Sequence, residues 1–381
     1  MKRRDFLRTM TVASIPPSVG WRSVYANEDA PQDTFTGQPL PLALDIKHAK
    51  KTTPISGAKF FAMPHPGSRT DTRTAMTSAG DIYVCGGGYL WKSTDRGETW
   101  SMSTLPHGTG GGFGILSGDV FILLFDDPES ATSFVLRSTD FGKTWSNPQP
   151  LDIRPFDVSG GGWSHVYQHP DGTAMITLTL RHRKQNRFFH DHIFRSTDGG
   201  LTWGDRTLLV PYSAESSLLA LCDSKRMLTY IRAQRPALPE DPPDFWKQTG
   251  ATEGHPWPLK NGVVAESNDG GRTWKNLRLF DTYGSVPGEI IQVPDGRVAA
   301  VWLQRYPYQD SEIRVRISSD DGRTWEKRTY SLFKAHGYPS SVVYSDGTIV
   351  TVCEDTKMDN RGQPRGKRSL AAVRWHFPEN G

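Results

Sequence analysis

One eight-residue stretch constrains this chain more than any other feature. It reads Ser-x-Asp-x-Gly-x-Thr-Trp and occurs five times, at Ser93–Trp100, Ser138–Trp145, Ser196–Trp203, Ser267–Trp274 and Ser318–Trp325. Internal repetition with a period on the order of 40–50 residues marks a propeller or a solenoid. The pattern is that of a hairpin turn. The Asp accepts hydrogen bonds from backbone N–H groups two residues on. The Gly takes the positive φ that such a turn demands. The Thr starts the next strand, and the Trp is large enough to pack between neighbouring sheets. A calcium loop needs more oxygen ligands than one Asp per copy supplies, so the turn is structural.

Around each copy the sequence follows one template: a short strand, a turn with Gly and Asp, an apolar strand, a variable loop, then a third strand leading into the Asp turn. Gly80-Asp81, Gly118-Asp119, Asp171-Gly172, Asp295-Gly296 and Asp346-Gly347 mark the first turns. A sixth unit, ending with Leu370–Phe377, lacks the Ser-x-Asp-x-Gly-x-Thr-Trp turn. Short apolar strands with regular turn signals predict an all-β fold. Six radially arranged units predict a six-bladed β-propeller. Its ring would be closed by an N-terminal strand near Lys59–Met63 in the last blade. The propeller domain is expected over residues 58–377, after a lead-in over 27–57. The longest blade loop, Ala233 to Leu259, is rich in Pro and carries Phe245, Trp246 and Trp257, which suits a binding loop.

The N-terminus reads as a targeting segment. Lys2-Arg3-Arg4-Asp5-Phe6-Leu7 resembles a twin-arginine export signal, and Val24-Tyr25-Ala26 offers small residues for cleavage. Residues 1–26 are therefore expected to be removed on export to the periplasm or beyond. The apolar stretch is too short and Pro-rich for a membrane span. A net charge of +4 gives no field that points to nucleic acid. Three cysteines without C-x-x-C spacing, Cys85, Cys222 and Cys353, read as buried free thiols rather than a zinc site or disulfides. His190-Asp191-His192 puts two imidazoles on one strand face, but no third ligand is visible, and a solvated loop is the simpler reading. No metal or cofactor is expected.

The repeated Asp turns on a six-unit propeller resemble the sialidase (neuraminidase) superfamily, also called the BNR or Asp-box proteins, over residues 58–377. The resemblance implies a Tyr nucleophile activated by a Glu, three arginines that hold an acidic sugar, and an Asp that protonates the leaving group. The segment from Glu215 through Leu228-Thr-Tyr-Ile-Arg232 matches one family pattern, implying that Glu215 is the base partner and Arg232 an arginine of the clamp. Leu303-Gln-Arg305 would supply another arginine. Tyr338-Pro-Ser-Ser with Val352-Cys-Glu354 implies Tyr338 as nucleophile and Glu354 as the carboxylate that steadies an arginine. Arg73, in Thr72-Arg73-Thr-Ala, stands where the family has Arg-Ile-Pro.

The chemistry is coherent, because arginine recognises carboxylates bidentately and a Tyr hydroxyl attacks only when a neighbour takes its proton. One departure stands out. In unit one, Cys85-Gly-Gly-Gly-Tyr-Leu-Trp91 offers no carboxylate where the family carries its acid. Asp71, Asp126, Asp127 and His165 are the alternatives. The resemblance implies a secreted exo-glycoside hydrolase acting on a terminal acidic sugar of a carbohydrate. A non-catalytic glycan-binding propeller and a polysaccharide lyase acting on uronates are the other two readings.

Overall fold

The computed structural model describes residues 51–106, 111–127, 130–158, 163–182, 189–222, 225–235, 241, 244 and 259–378. The expected export signal, most of the lead-in and most of the aromatic 233–259 loop lie outside the described residues. Two strands come first, β1 (Thr53–Pro54) and β2 (Lys59–Met63). The first meander is β3 (Arg73–Met76), β4 (Ile82–Gly86), β5 (Tyr89–Ser93) and β6 (Ser101–Thr104). The second is β7 (Gly112–Leu116), β8 (Val120–Asp127), β9 (Thr132–Ser138) and β10 (Gln149–Pro150). After β11 (Phe156–Val158) comes the third, β12 (Ser164–Gln168), β13 (Ala174–His182), β14 (Phe189–Ser196) and β15 (Gly204–Leu208). The fourth is β16 (Ser213–Ala220), β17 (Met227–Arg235), β18 (Leu259–Ser267) and β19 (Lys275–Leu279). The fifth is β20 (Ser285–Gln292), β21 (Val298–Gln304), β22 (Glu312–Ser318) and β23 (Tyr330–Phe333). Last come β24 (Ser340–Val343), β25 (Ile349–Glu354) and β26 (Leu370–Trp375).

These strands make five sheets, the second and third meanders being joined into one of nine strands through a parallel β7–β12 pairing. β2 pairs antiparallel with β26, with Lys59 opposite Arg374 and Met63 opposite Leu370, so the N-terminal strand completes the last sheet as expected. Regular structure starts earlier than Ala58, because β1 pairs with β23.

Apolar clusters fill the seams between consecutive meanders. One joins Tyr83, Cys85 and Leu90 to Phe113, Phe121 and Leu123. Another joins Ile82, Val84 and Trp91 to Val342, Val350 and Ala372, which links the first meander to the last and closes the ring. The structure is an all-β propeller.

The Asp turn is built more tightly than its sequence suggests. In the third meander Asp198 Oδ1 accepts from Ser196 Oγ at 2.7 Å and from the backbone N–H of Leu201 and Thr202 at 3.0 and 2.9 Å. Its Oδ2 accepts from Thr202 Oγ1 at 2.5 Å, and Gly200 N–H donates to Ser196 Oγ at 2.9 Å. The acceptor therefore reaches residues three and four on, not two. Both donors of the Thr are spent on the Asp, so the following strand starts after the Trp and not at the Thr. Gly200 has φ +82°, and an added Cβ would come within 2.7 Å of Ile122 in the preceding meander. Gly97, Gly142 and Gly322 likewise lean on Val350, Leu90 and Leu228 of the meander before their own. Each turn thus sets a sheet's distance from its neighbour.

Two smaller expectations change. Cys85 and Cys353 are buried thiols, but Cys222 is exposed. His190, Asp191 and His192 are not a solvated loop, because they lie buried within β14.

Candidate active site

Residues far apart in sequence meet where first strands begin and second strands end. β16 carries a bulge between Ala214 and Ser217, and Glu215 sits in it with φ +53°. A bulge re-aims one side chain out of the alternating pattern, and a non-glycine residue in the left-handed region persists only when its surroundings hold it there. Here the holding group is Asp191, whose Oδ1 accepts from Thr179 Oγ1 at 2.5 Å and whose Oδ2 accepts from Ser216 N–H at 2.8 Å. Glu215 N–H donates to the same Thr179 hydroxyl at 3.1 Å. Burial raises the Asp191 carboxyl above its ordinary pKa. The sequence read His190-Asp191-His192 as a solvated loop, whereas the buried Asp between the two histidines does the positioning.

So aimed, Glu215 Oε1 accepts from the Tyr338 hydroxyl at 3.0 Å. Its Oε2 is paired with Arg232 Nη1, which also lies 3.2 Å from the Tyr338 oxygen. Gln234 Oε1 accepts from Arg232 Nε at 3.0 Å and Nη2 at 2.6 Å, fixing the guanidinium plane. Arg305, just past β21, lies close enough to the Tyr338 phenol for the two to influence each other's charge. Burial lowers the Arg305 pKa, but Tyr338, Tyr306 and Glu215 outweigh it and hold the group charged. Its Nε is buried with no partner among the described residues. Burial and the Glu215 charge raise the Tyr338 phenol, while Arg232 and Arg305 pull it back. The ring packs edge-on against buried Trp163 at 5.3 Å.

The predicted first arginine is elsewhere. Arg73 is 2% exposed, and donates to the carbonyls of Ser164 and Trp163 at 2.9 and 2.8 Å. Its guanidinium lies 3.3 Å from the Trp163 ring centroid. A side chain so enclosed by backbone carbonyls supports Trp163 and cannot face a sugar. Arg69, four residues earlier, is exposed and lies 5.6 Å over the Tyr338 ring, with Nε donating to Asp71 at 3.1 Å. The Arg-Thr-Asp-Thr-Arg run from Arg69 to Arg73 contained this signal, and the choice between its two arginines depended on packing.

Glu354 does steady an arginine, but the partner is Arg368. Its Oε2 accepts the Thr70 N–H at 2.9 Å and so anchors the segment carrying Arg69 and Asp71. Of the four acid candidates, Asp71 alone joins the cluster. Burial raises its carboxyl above the usual range, with Glu215 and Glu354 adding to the rise and Arg69 opposing it. Asp126 and Asp127 are engaged with Ser133 and Ser130 near the end of β8. His165 Nδ1 accepts from Leu218 N–H at 3.0 Å, and burial beside Arg73 drives its pKa well below 6.5. Among the described residues no group of three or more His, Cys, Asp or Glu could hold a metal ion, and no helix is long and apolar enough to cross a membrane. A separate cavity of about 360 Å³, lined by Asp171, Arg195, Asp205 and Arg272, lies among the Asp turns and shares no lining residue with this cluster.

No protein-family profile matches the chain. It is 26% identical over 276 residues to a xyloglucanase of a Paenibacillus species, covering 57% of this chain and 26% of that protein. It is 31% identical over 137 residues to xyloglucanase Xgh74A of Acetivibrio thermocellus, covering 30% of this chain and 16% of that one. The chain thus spans about a quarter or less of the curated relatives it matches. Among solved structures, a Dyadobacter fermentans protein of unknown function aligns with a TM-score of 0.60 at 18% identity, covering 84% of this chain and 99% of the other. The Hadza microbial sialidase Hz136 aligns at 0.55 and 17% identity, covering 80% and 65%. An α-L-arabinanase of Penicillium chrysogenum complexed with arabinobiose aligns at 0.56 and 13% identity, covering 84% and 97%. The fold of this chain is that of a sialidase-like propeller.

Proposed function

We propose that this protein is a retaining exo-glycoside hydrolase that removes a terminal acidic sugar, working on a six-bladed ring. The observation that carries the reading is the hydrogen bond from Tyr338 to Glu215, made by two residues that only a bulge and a strand end bring together. Arg69, Arg232 and Arg305 would grip the sugar carboxylate, since guanidinium groups match its planar geometry. The Tyr338 oxygen then attacks the anomeric carbon while its proton passes to Glu215. The glycosidic C–O bond breaks, and the departing oxygen takes the proton of Asp71. In the second half, water attacks the glycosyl–Tyr338 intermediate and gives its proton to Asp71. The phenolate departs and recovers the proton held by Glu215. The cationic lining favours an acidic sugar over the neutral glucans named for the xyloglucanase relatives. Export by the twin-arginine route to the periplasm or beyond belongs to the same proposal.

The test is hydrolysis of aryl glycosides of acidic sugars by wild type and Tyr338→Phe, with product configuration followed by NMR. The expected result is turnover with retention in wild type, and a loss of several orders of magnitude in the variant. Unchanged turnover in Tyr338→Phe would overturn the nucleophile. Binding without turnover on any acidic glycan would favour a glycan-binding propeller, and an unsaturated uronate product a lyase.

A further inference from the structure

Lys260 belongs to the same mouth, although no family pattern points to it. It is the second residue of β18, directly opposite Gln234 of β17, while Gly262 stands opposite Arg232. Residues opposed across an antiparallel ladder project from the same face. Lys260 therefore shares a face with Gln234, whose side chain fixes the Arg232 guanidinium. Its backbone is locked to the other arginine of the site through one residue. Gly284 N–H donates to the Lys260 carbonyl at 2.8 Å, and the Gly284 carbonyl accepts from Arg305 N–H at 2.8 Å. Gly284 has φ +86°, and a Cβ there would come 2.5 Å from the Tyr306 ring, so the link depends on a glycine.

The charged groups that act most on Lys260 are Arg305, Arg232 and Arg69, with Glu215 opposing them. Both Glu215 oxygens are already engaged by Tyr338 and Arg232. Among the described residues no carboxylate pairs with the Lys260 ammonium. Arg69 is paired with Asp71 and Arg232 with Glu215, so Arg305 and Lys260 are the cations of the mouth that have no carboxylate partner among the described residues, and buried cations are stable only when paired. The same arrangement suits a site that receives an anion.

We propose that Lys260 is a fourth cationic contact for the acidic sugar, taking up a proton as the sugar binds. This rests on the reading of the mouth as an acidic-sugar site and adds a residue and a protonation step to it. Burial, together with Arg305, Arg232 and Arg69, pushes the lysine down to about 6, so it enters binding mostly neutral at pH 7.5. A carboxylate among these cations restores the balance, the amine is protonated from solvent, and the ammonium then pairs with the ligand. The ligand class is a pyranose bearing a carboxylate, a uronate or a nonulosonate.

Calorimetric titration of full-length protein with N-acetylneuraminate and with D-glucuronate, at pH 7.5 in phosphate and in Tris, reads the protons taken up per sugar bound. The expected result is close to one proton for wild type with at least one of the two sugars. Lys260→Met should bind roughly tenfold more weakly with no uptake, in line with about 1.4 kcal/mol for one lost charged contact. Lys260→Arg, always charged, should bind without uptake. Binding by wild type with no proton uptake, or uptake that persists in both variants, would overturn the role of Lys260 and leave the acidic-sugar reading standing. Failure of wild type to bind either sugar at millimolar concentration would overturn both.

Discussion

At the scale of single residues, two carboxylates in one mouth are pushed to different tasks by their surroundings. Glu215 is pinned between a phenol and a guanidinium, which places it to accept the phenol's proton. Asp71 has one arginine and two nearby carboxylates, and its pKa rises with burial. A raised carboxyl pKa keeps the proton to higher pH, so Asp71 stays acidic at a pH where an ordinary Asp is ionised. Asp71→Asn is expected to slow the release of poor leaving groups by about 10²- to 10⁴-fold. It should affect nitrophenyl glycosides far less, and should remove the alkaline limb of the pH profile. Measured kcat/KM across a leaving-group series checks this, and equal losses on all leaving groups would assign the acid elsewhere. The Asp turns show the opposite shift. Hydrogen bonds from the Thr202 hydroxyl and N–H and from Ser196 lower Asp198 to about 2. A depressed folded-state pKa adds stability that is present above about pH 4 and is lost as the pH falls towards 2. Asp198→Asn is therefore expected to flatten the dependence of Tm on pH across that window, and an unchanged slope would remove the turn from the acid response.

At the scale of elements, the β16 bulge connects folding to chemistry. Regular pairing of β16 with β17 would send Glu215 to the wrong face, and Asp191 prevents it by binding both Thr179 and Ser216. Asp191→Ala should leave Tyr338 and Arg232 in place but loosen Glu215. The expected outcome is a fall in kcat of more than tenfold, with a smaller change in KM and a Tm lowered by several degrees. A change in Tm alone would make Asp191 structural only. The turns behave as elements in the same sense. Gly322, at φ +71°, abuts Leu228 of the preceding meander. Gly322→Ala should cost about 1–2 kcal/mol from the left-handed backbone alone, plus the 2.7 Å contact with Leu228, read as a lower midpoint in urea unfolding.

At the scale of the whole molecule, the site exists because the ring is closed. Tyr338 and Glu354 come from the last meander, Arg69 and Asp71 from just before the first, and Glu215, Arg232, Lys260 and Arg305 from the fourth and fifth. The closing device is β2 on β26, together with the apolar seam of Trp91, Val342 and Val350. Deleting residues 1–63 should expose the edge of β26 and weaken this seam. A lower Tm and a loss of activity larger than that of any mutation on β2 are expected, with thermal denaturation and light scattering as the measurements. A truncated chain with native Tm would show that closure is not needed.

The five Asp turns were legible in the sequence because they are local: each depends on residues a few positions apart that satisfy one another's hydrogen bonds. The closing strand was legible because the last repeat lacks a fourth strand of its own, although its partner β26 lies at the other end of the chain. Glu215, Arg232, Arg305 and Tyr338 were legible through the resemblance to the sialidase superfamily, and their places at strand ends, which a repeat sets on one side of a ring, were consistent with it. The rest was decided by packing. Arg73 and Arg69 are equivalent as sequence, and only the carbonyls of Trp163 and Ser164 separate a support from a surface residue. Asp191 and Lys260 carry no local signal, since the one acts across β13, β14 and β16 and the other through Gly284 on a neighbouring meander. The turns determine how many sheets there are and how they follow one another, whereas side-chain burial between sheets determines which charges reach the mouth and in what state of protonation.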